Sequence, residues 1–461
     1  MSKVEKKIEK LLDADRQYVW HPYTQMKDYK DRDPLFVERG EGVFLYDVYG
    51  NRYYDTISSW WAILHGHNHP VIKAHVKAQM ERLEQVHFAG TTHAPAINLA
   101  QKLVELTPEP LCKVFYSDNG STACEVAIKM SLQYWKQSGR PEKEKFISLE
   151  RGYHGDTIGM LSLGGVPMFK GPFDCLTFHS HRLPTPYCYR CPLGLENHDM
   201  DDPEPACSLA CLEDLEDLLR KEADKTAAII MEPLLLGAGG MIIYPKAYLS
   251  KVAKMAKDHG VHLILDEVAT GFGRTGRMFA FEHCQIVPDF LCLSKGLTGG
   301  YMPMGATVTT QEIFDAFYDD WEKGKTFFHG HTFTGNPLSS SAGLGSLEVF
   351  EKEEVLTRLP GRINTLAAGS KKISNHPNIG DIRHIGMICA FEIVQDKTAK
   401  KAFDSSKRIG FQIYLAGLKN GVILRPLGDV IYLFLPLCTT KKEIDDILGR
   451  TFDTFNEILP S

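Results

Sequence analysis

The sequence predicts an α/β protein: a mostly parallel sheet covered by helices on both faces, joined to a smaller α+β domain. Two observations carry this. From about residue 95 to 340, short and nearly continuous apolar runs alternate with longer amphipathic stretches. Beyond 340 the rhythm changes to helices separated by strand-like runs near 387–393 and 430–433.

In chain order, the first 15 or so residues are charged throughout and read as a solvated helix or arm. Residues 43–54 read as a hairpin, because two aromatic-rich alternating runs flank a turn at 49–51 that contains Gly50. Helical spacing follows at 70–83 and 98–106. Strands are expected at 113–116, 145–149, 227–232, 261–266, 289–293 and 306–309, with amphipathic helices at 121–136 and 245–258. Further helices are expected at 344–351, 362–374 and 405–420. The domains implied are 76–342 as the large one and 343–461 as the small one, with 1–75 contributing to the small domain. The stretch 185–210, rich in Pro, Cys and acidic residues, reads as a surface excursion.

Composition narrows the function classes. Of 461 residues, 43% are hydrophobic and 24% charged, and 52 Lys plus Arg against 58 Asp plus Glu give a net charge of -6. That balance supplies no basic footprint for nucleic acid. No run reaches the roughly 20 apolar residues of a membrane span, and the polar start lacks a signal-peptide core. A cytoplasmic protein is therefore expected. Eleven cysteines in so long a chain do not suggest a disulfide scaffold.

In a doubly wound sheet, ligands bind beyond the carboxyl ends of the strands, and four features fall there. Between strand 113–116 and helix 121–136, Gly120 permits close backbone approach while Ser121 and the helix N–H groups suit a phosphate; plain capping by Ser117, Asn119 or Ser121 is the alternative. Asp266 ends an apolar strand and needs a partner, such as a protonated aromatic nitrogen, a metal, a helix cap or Arg274; Glu267 beside it is a competing structural carboxylate. Lys295 emerges from an apolar strand into the turn LSKGLTGG, where desolvation favours a nucleophilic amine, although a snorkelling lysine gives the same pattern. Tyr153 in RGYHGD can stack on a planar group, with His154 or Asp156 behind it, or simply form a turn. Asp266 and Lys295 end successive strands one crossover apart, so a flat cofactor could be addressed at both ends.

With these residues assembled, the chain resembles the class III aminotransferases of fold type I almost from end to end. The family-level match is LILDEVATGFGRTGRMFAFEH followed by PDFLCLSKGLTGG. HPYTQM, SSWWAILHGHNHP, RGYHGDT and HGHTFTGNP resemble the biotin-pathway branch, which aminates 7-keto-8-aminopelargonate to 7,8-diaminopelargonate. The resemblance implies a large domain with a mostly parallel seven-stranded sheet, pyridoxal 5′-phosphate as cofactor, and a homodimer with shared active sites. It implies that Lys295 carries the cofactor and moves the proton, that Asp266 pairs with its ring nitrogen and that Tyr153 covers its face. Gly120 and Ser121 would hold the phosphate, with Thr332 and neighbouring His331 completing the grip from the other subunit. Trp60, Tyr23 and Gly330 match the substrate pocket, and Arg425 matches the position that binds the keto-acid carboxylate; Tyr23 and Asp156 match positions that tune donor and acceptor recognition.

The segment 21–40 is similar to members that use lysine as donor, whereas the Trp60-Trp61 pair is similar to members that use S-adenosylmethionine. Adenosylmethionine is the expectation, and lysine is the alternative. Another ω-aminotransferase, of acetylornithine or 4-aminobutyrate type, would share the core motifs; so would an aminomutase. A non-enzymatic metal-binding protein on this scaffold would have no need of both Lys295 and Asp266. One departure stands out: Cys188-x2-Cys191 and Cys207-x3-Cys211 resemble half-sites for zinc or iron–sulfur, with His198 as an extra candidate, or else are reduced thiols in a tolerant insertion.

Overall fold

Apolar runs with no polar face to show to water become interior strands. In the computed structural model, which describes residues 3–191, 193–195 and 199–460, they form one seven-stranded sheet. Its order is Leu111–Ser117, Gly305–Thr310, Phe290–Leu293, His262–Asp266, Thr226–Met231, Lys145–Leu149, His181–Leu183. Gly305–Thr310 runs antiparallel to both its neighbours, and the other pairings are parallel. The three central strands, Thr226–Met231, His262–Asp266 and Phe290–Leu293, are buried along their whole length, as a sheet covered on both faces requires. The edge strand His181–Leu183 is absent from the sequence expectation. It is three residues long and opens on His-Arg, so it carries no apolar run.

Helix Gly120–Gln137 packs on this sheet through Ala123, Val126, Ala127 and Met130. The expected hairpin forms from Phe44–Asp47 and Arg52–Tyr54, with Val37–Glu41 as a third strand. Its turn is closed by the Asp47 carboxylate, which accepts from the Tyr49 and Asn51 N–H groups, from Asn51 Nδ2 and from the Tyr53 hydroxyl.

The C-terminal part builds a four-stranded antiparallel sheet in the order Ile379–Ile385, Ile388–Ile393, Val430–Phe434, Pro426–Leu427. Helices Val355–Ile373, Ile409–Lys419 and Lys441–Ile458 accompany it. The N-terminal segment joins this region by backbone bonds: Tyr54 N–H to Gly421 O (2.9 Å), Phe434 N–H to Thr56 O (2.7 Å) and Leu437 N–H to Leu64 O (2.7 Å).

The excursion at 185–210 lies at the surface at residues 193–195 and 203–204, and it is docked to the body through residues on either side. Tyr187 donates its hydroxyl to Glu392, and Arg190 Nε reaches the same carboxylate at 2.6 Å. Cys207, Cys211 and Tyr187 pack against the main core. Burial and the thiols of Cys207, Cys188 and Cys191 push the Cys211 pKa up to about 12. His198 lies outside the described residues. Among the described residues no helix is long and apolar enough to cross a membrane.

Candidate active site

The sheet register sets the site. Asp266 pairs with Cys292 on the neighbouring parallel strand, so the two strands reach the same edge together, and Lys295 follows three residues later. Lys295 begins a 3-10 turn with φ of 42°, a left-handed conformation that is unfavourable for a long side chain. Both side chains open into a cavity of about 470 Å3, whose walls include Gly120, Ser121, Tyr153, His154 and Glu232.

The electrostatics are asymmetric. Asp266 is buried; its Oδ1 accepts the Val268 N–H at 3.0 Å, and its Oδ2 lies 2.8 Å from His154 Nδ1. Lys295 keeps some accessible surface through the cavity. Its enclosure on the other sides pulls the ammonium pKa below its usual value, against the opposing pull of Asp266 and Glu232. Glu232 is buried opposite, and burial raises its pKa to about 7. Its carboxylate accepts from Tyr153 N–H (3.0 Å) and Gly237 N–H (2.9 Å). Glu267 points away: it accepts from Ala280 N–H, Phe281 N–H and the Thr270 hydroxyl, closing the turn behind the strand.

At the other end, Asn119 caps helix Gly120–Gln137, taking the Thr122 N–H on its side chain while the Thr122 hydroxyl accepts the Asn119 N–H. Gly120 and Ser121, the first residues of that helix, line the cavity with its positive dipole end behind them. A Cβ on Gly120 would sit 2.6 Å from Val268, and one on Gly155 would sit 2.2 Å from Ser121 Oγ. Ser121 Oγ and Thr157 Oγ1 are 2.8 Å apart. An anion cradle at one end, a buried carboxylate at the other and a lysine between fit pyridoxal phosphate. The buried and unpartnered Nε2 of His154 is a further polar atom behind Asp266.

Cys124, His154 and Asp266 also meet the distance requirement for a metal site. However, His154 Nδ1 and Asp266 Oδ2 are already paired with each other at 2.8 Å.

The structure brings together Lys295, Asp266, Gly120, Ser121 and Tyr153. Tyr23 stands at the entrance, its hydroxyl donating to Asp156 at 2.7 and 2.8 Å and lying 3.3 Å from the Tyr153 hydroxyl. Burial raises its pKa to about 12. Tyr23 also lines an adjoining cavity of about 340 Å3 with Arg425, Arg32 and Tyr29. The Arg425 guanidinium lies 4.7 Å from the centre of the Trp60 ring.

Trp60 is 40% exposed, and it is Trp61 that enters the inner cavity, its ring 5.0 Å below Lys295 Nζ. The reason is local: Ser58, Ser59, Trp60 and Trp61 all have positive φ, between 45° and 75°, which no residue pattern announces. Gly330, His331 and Thr332 stay outside both cavities of this chain, with His331 Nδ1 2.7 Å from Asp118 and the Thr332 carbonyl accepting from Gln85. Glu232 is the residue that sequence reasoning missed; its signal is a carboxylate at the end of an apolar strand, directly before Pro233.

The family model for aminotransferase class III matches residues 26–455. The adenosylmethionine-8-amino-7-oxononanoate aminotransferase of Geobacter sulfurreducens is 46% identical, over 94% of this chain and 95% of that protein. The protein of the same name from Aquifex aeolicus is 43% identical over 94% of each chain. The crystal structure of the Methanocaldococcus jannaschii protein of that name superposes with a TM-score of 0.92 at 40% identity, covering 98% of this chain and all of that one. An ω-transaminase from Pseudomonas jessenii in complex with PMP gives 0.91 at 32% identity, covering 98% and 99%.

Proposed function

Because the chain belongs to the class III aminotransferase family, we propose that it transfers an amino group from S-adenosyl-L-methionine to 8-amino-7-oxononanoate, giving 7,8-diaminononanoate for biotin synthesis. Relatives 40–46% identical over nearly the whole chain carry that name. The observation behind the chemistry is the single cavity holding Lys295, Asp266 and the helix start at Gly120–Ser121.

The cofactor is pyridoxal 5′-phosphate, which supplies an electron sink for the carbon that loses its proton. Asp266 would keep the ring nitrogen protonated; its Oδ2 is oriented by His154 and its Oδ1 by the Val268 N–H. Gly120, Ser121 and the dipole of the helix behind them would bind the phosphate. Lys295 would carry the cofactor between turnovers. Displaced by the donor amine, its Nζ would take the α-proton and return it on the other side of the exchange; a depressed pKa suits an amine that must accept a proton near neutrality. Tyr153 would cover the ring, its backbone fixed by Glu232. Arg425 would bind the acceptor carboxylate, with Tyr23, Trp60 and Gly330 completing the substrate pocket. His331 and Thr332 would serve the phosphate of a partner subunit in a homodimer. A cytoplasmic location accords with this chemistry.

The test uses each half-reaction alone. S-adenosylmethionine should bleach the visible absorbance of the bound cofactor, and 8-amino-7-oxononanoate should restore it. Bleaching by L-lysine alone would move the assignment to the lysine-dependent reaction. Neither donor acting, with simple amines active instead, would favour a general ω-transaminase, a reading supported by solved ω-transaminases at TM-scores of 0.91–0.92.

A further inference from the structure

Four cysteines remain outside the chemistry above. Cys188 and Cys191 flank one tight turn, closed by the Cys191 N–H on the Cys188 carbonyl at 3.2 Å. Cys207 opens a second, closed by the Ala210 N–H on its carbonyl at 3.1 Å, with Cys211 next in line. Within that second turn Ser208 and Leu209 are both left-handed, with φ of 50° and 57°. Two successive non-glycine residues in this region cost free energy and persist only where the surroundings fix them. All four cysteines are half-buried, and the thiols of Cys207, Cys188 and Cys191 all act electrostatically on Cys211.

An independent observation points to a ligand. Tyr248 is fully buried and its hydroxyl has no hydrogen-bond partner. Among the described residues, the Cys211 thiol lies close enough to act on it electrostatically. A neutral thiol is a weak acceptor, whereas a metal-bound thiolate is a strong one.

We propose that Cys188, Cys191, Cys207 and Cys211 form a tetrathiolate site for one zinc ion. Two short loops that each bring two cysteines together supply the four ligands of a closed structural site. Binding releases the four thiol protons and leaves a net charge of -2 beside Arg190, which stands inside the first turn. Among the described residues, only the Cys124–His154–Asp266 group has three ligand atoms mutually within 4.8 Å. The four sulfurs must therefore draw together to the separations of about 3.8 Å that tetrahedral zinc imposes. The ion then acts as a staple. Arg190 Nε reaches Glu392, which Arg383 also grips while donating to the Gly240 and Met241 carbonyls. Those carbonyls follow Gly237, whose N–H rests on Glu232 in the cofactor cavity.

Elemental analysis of the full-length, cofactor-loaded protein should find about one zinc per chain. The Cys207→Ser/Cys211→Ser variant should lose it and keep the visible absorbance of the bound cofactor. Because that variant could misfold, the decisive arm uses the unaltered sequence: metal-stripped, reduced protein titrated with Co2+ should develop a thiolate-to-cobalt charge-transfer band saturating near one equivalent. Protein without zinc that also gives no such band overturns the proposal, as does stoichiometric iron with acid-labile sulfide. Zinc retained in full by the double variant overturns it as well.

Discussion

Two kinds of turn border the inner cavity, and they are held in opposite ways. The strand-end turns at Asp266 and Lys295 are placed by the sheet: the register of parallel neighbours brings both residues to one edge. The Ser58–Trp61 turn, with four left-handed residues in succession, has no ladder behind it. It is held by polar ties from distant parts of the chain. Arg274, fully buried, donates to the Trp61, Ile63 and Leu435 carbonyls and to Ser58 Oγ. Asp55 holds the Ser59 N–H and hydroxyl, and Ser58 Oγ donates to the Phe434 carbonyl. The first turn puts chemistry on a rigid element. The second delivers Trp61 to the cavity at the expense of backbone strain of about 1–2 kcal/mol per residue.

The largest expected effect lies on the sheet side. Lys295→Ala should lower the rate of amino transfer by about 10^4-fold or more while leaving the fold intact, as circular dichroism and thermal unfolding would check. If activity survived within about tenfold, another group must move the proton.

On the other side, Arg274→Met should destabilise the protein by about 3–5 kcal/mol, because three buried carbonyls lose their donor. Burial already draws the pKa of Arg274 down to about 9, so its charge is held at a cost that only these contacts offset. Urea unfolding measures this, and an effect below about 1 kcal/mol would show that the left-handed turn stands without the guanidinium.

Next comes a pH effect that isolates the cavity's second carboxylate. Glu232 ionises near 4.5 when unfolded and at about 7 in the fold. The folded state thus binds more protons between these values, and stability falls as pH rises through that window. The fall is roughly 3 kcal/mol and is complete above the folded pKa. Glu267, likewise raised to about 7, adds a similar decline. In cofactor-free enzyme, unfolding at a series of pH values should therefore show Glu232→Gln lacking roughly 3 kcal/mol of this decline, against a background to which Asp289 adds and from which the depressed His65 and His262 subtract. An unchanged slope would contradict the burial of an ionising Glu232.

The smallest effect is Asp55→Asn, about 1–2 kcal/mol of stability, since the carboxylate serves Ser59 and lies 2.8 Å from His67 Nε2. If activity fell while stability held, Asp55 would be acting through the placement of Trp61 alone.

The same contrast governs what the sequence reveals. Strand 145–149 and helix 121–136 are legible because burial leaves an apolar period, and Lys295 with Asp266 because they follow such strands. Trp61 is not legible: neighbouring tryptophans look alike until the left-handed turn sends one inward and leaves the other at the entrance, and its ties to Arg274 and Phe434 span more than 200 residues. Helix Lys441–Ile458, absent from the sequence expectation, nevertheless carries legible signals: it opens with a Thr440–Glu443 capping box and buries Ile444, Ile447, Leu448 and Phe455 on one face.

The most direct test of the central claim is chemical trapping. Borohydride reduction of the cofactor-loaded enzyme, followed by proteolysis and mass spectrometry, should place the phosphopyridoxyl group on the peptide containing Lys295. Asp266→Asn should still be labelled there while losing most of its activity. Label on any other lysine, or none on Lys295, would contradict the assignment of this cavity.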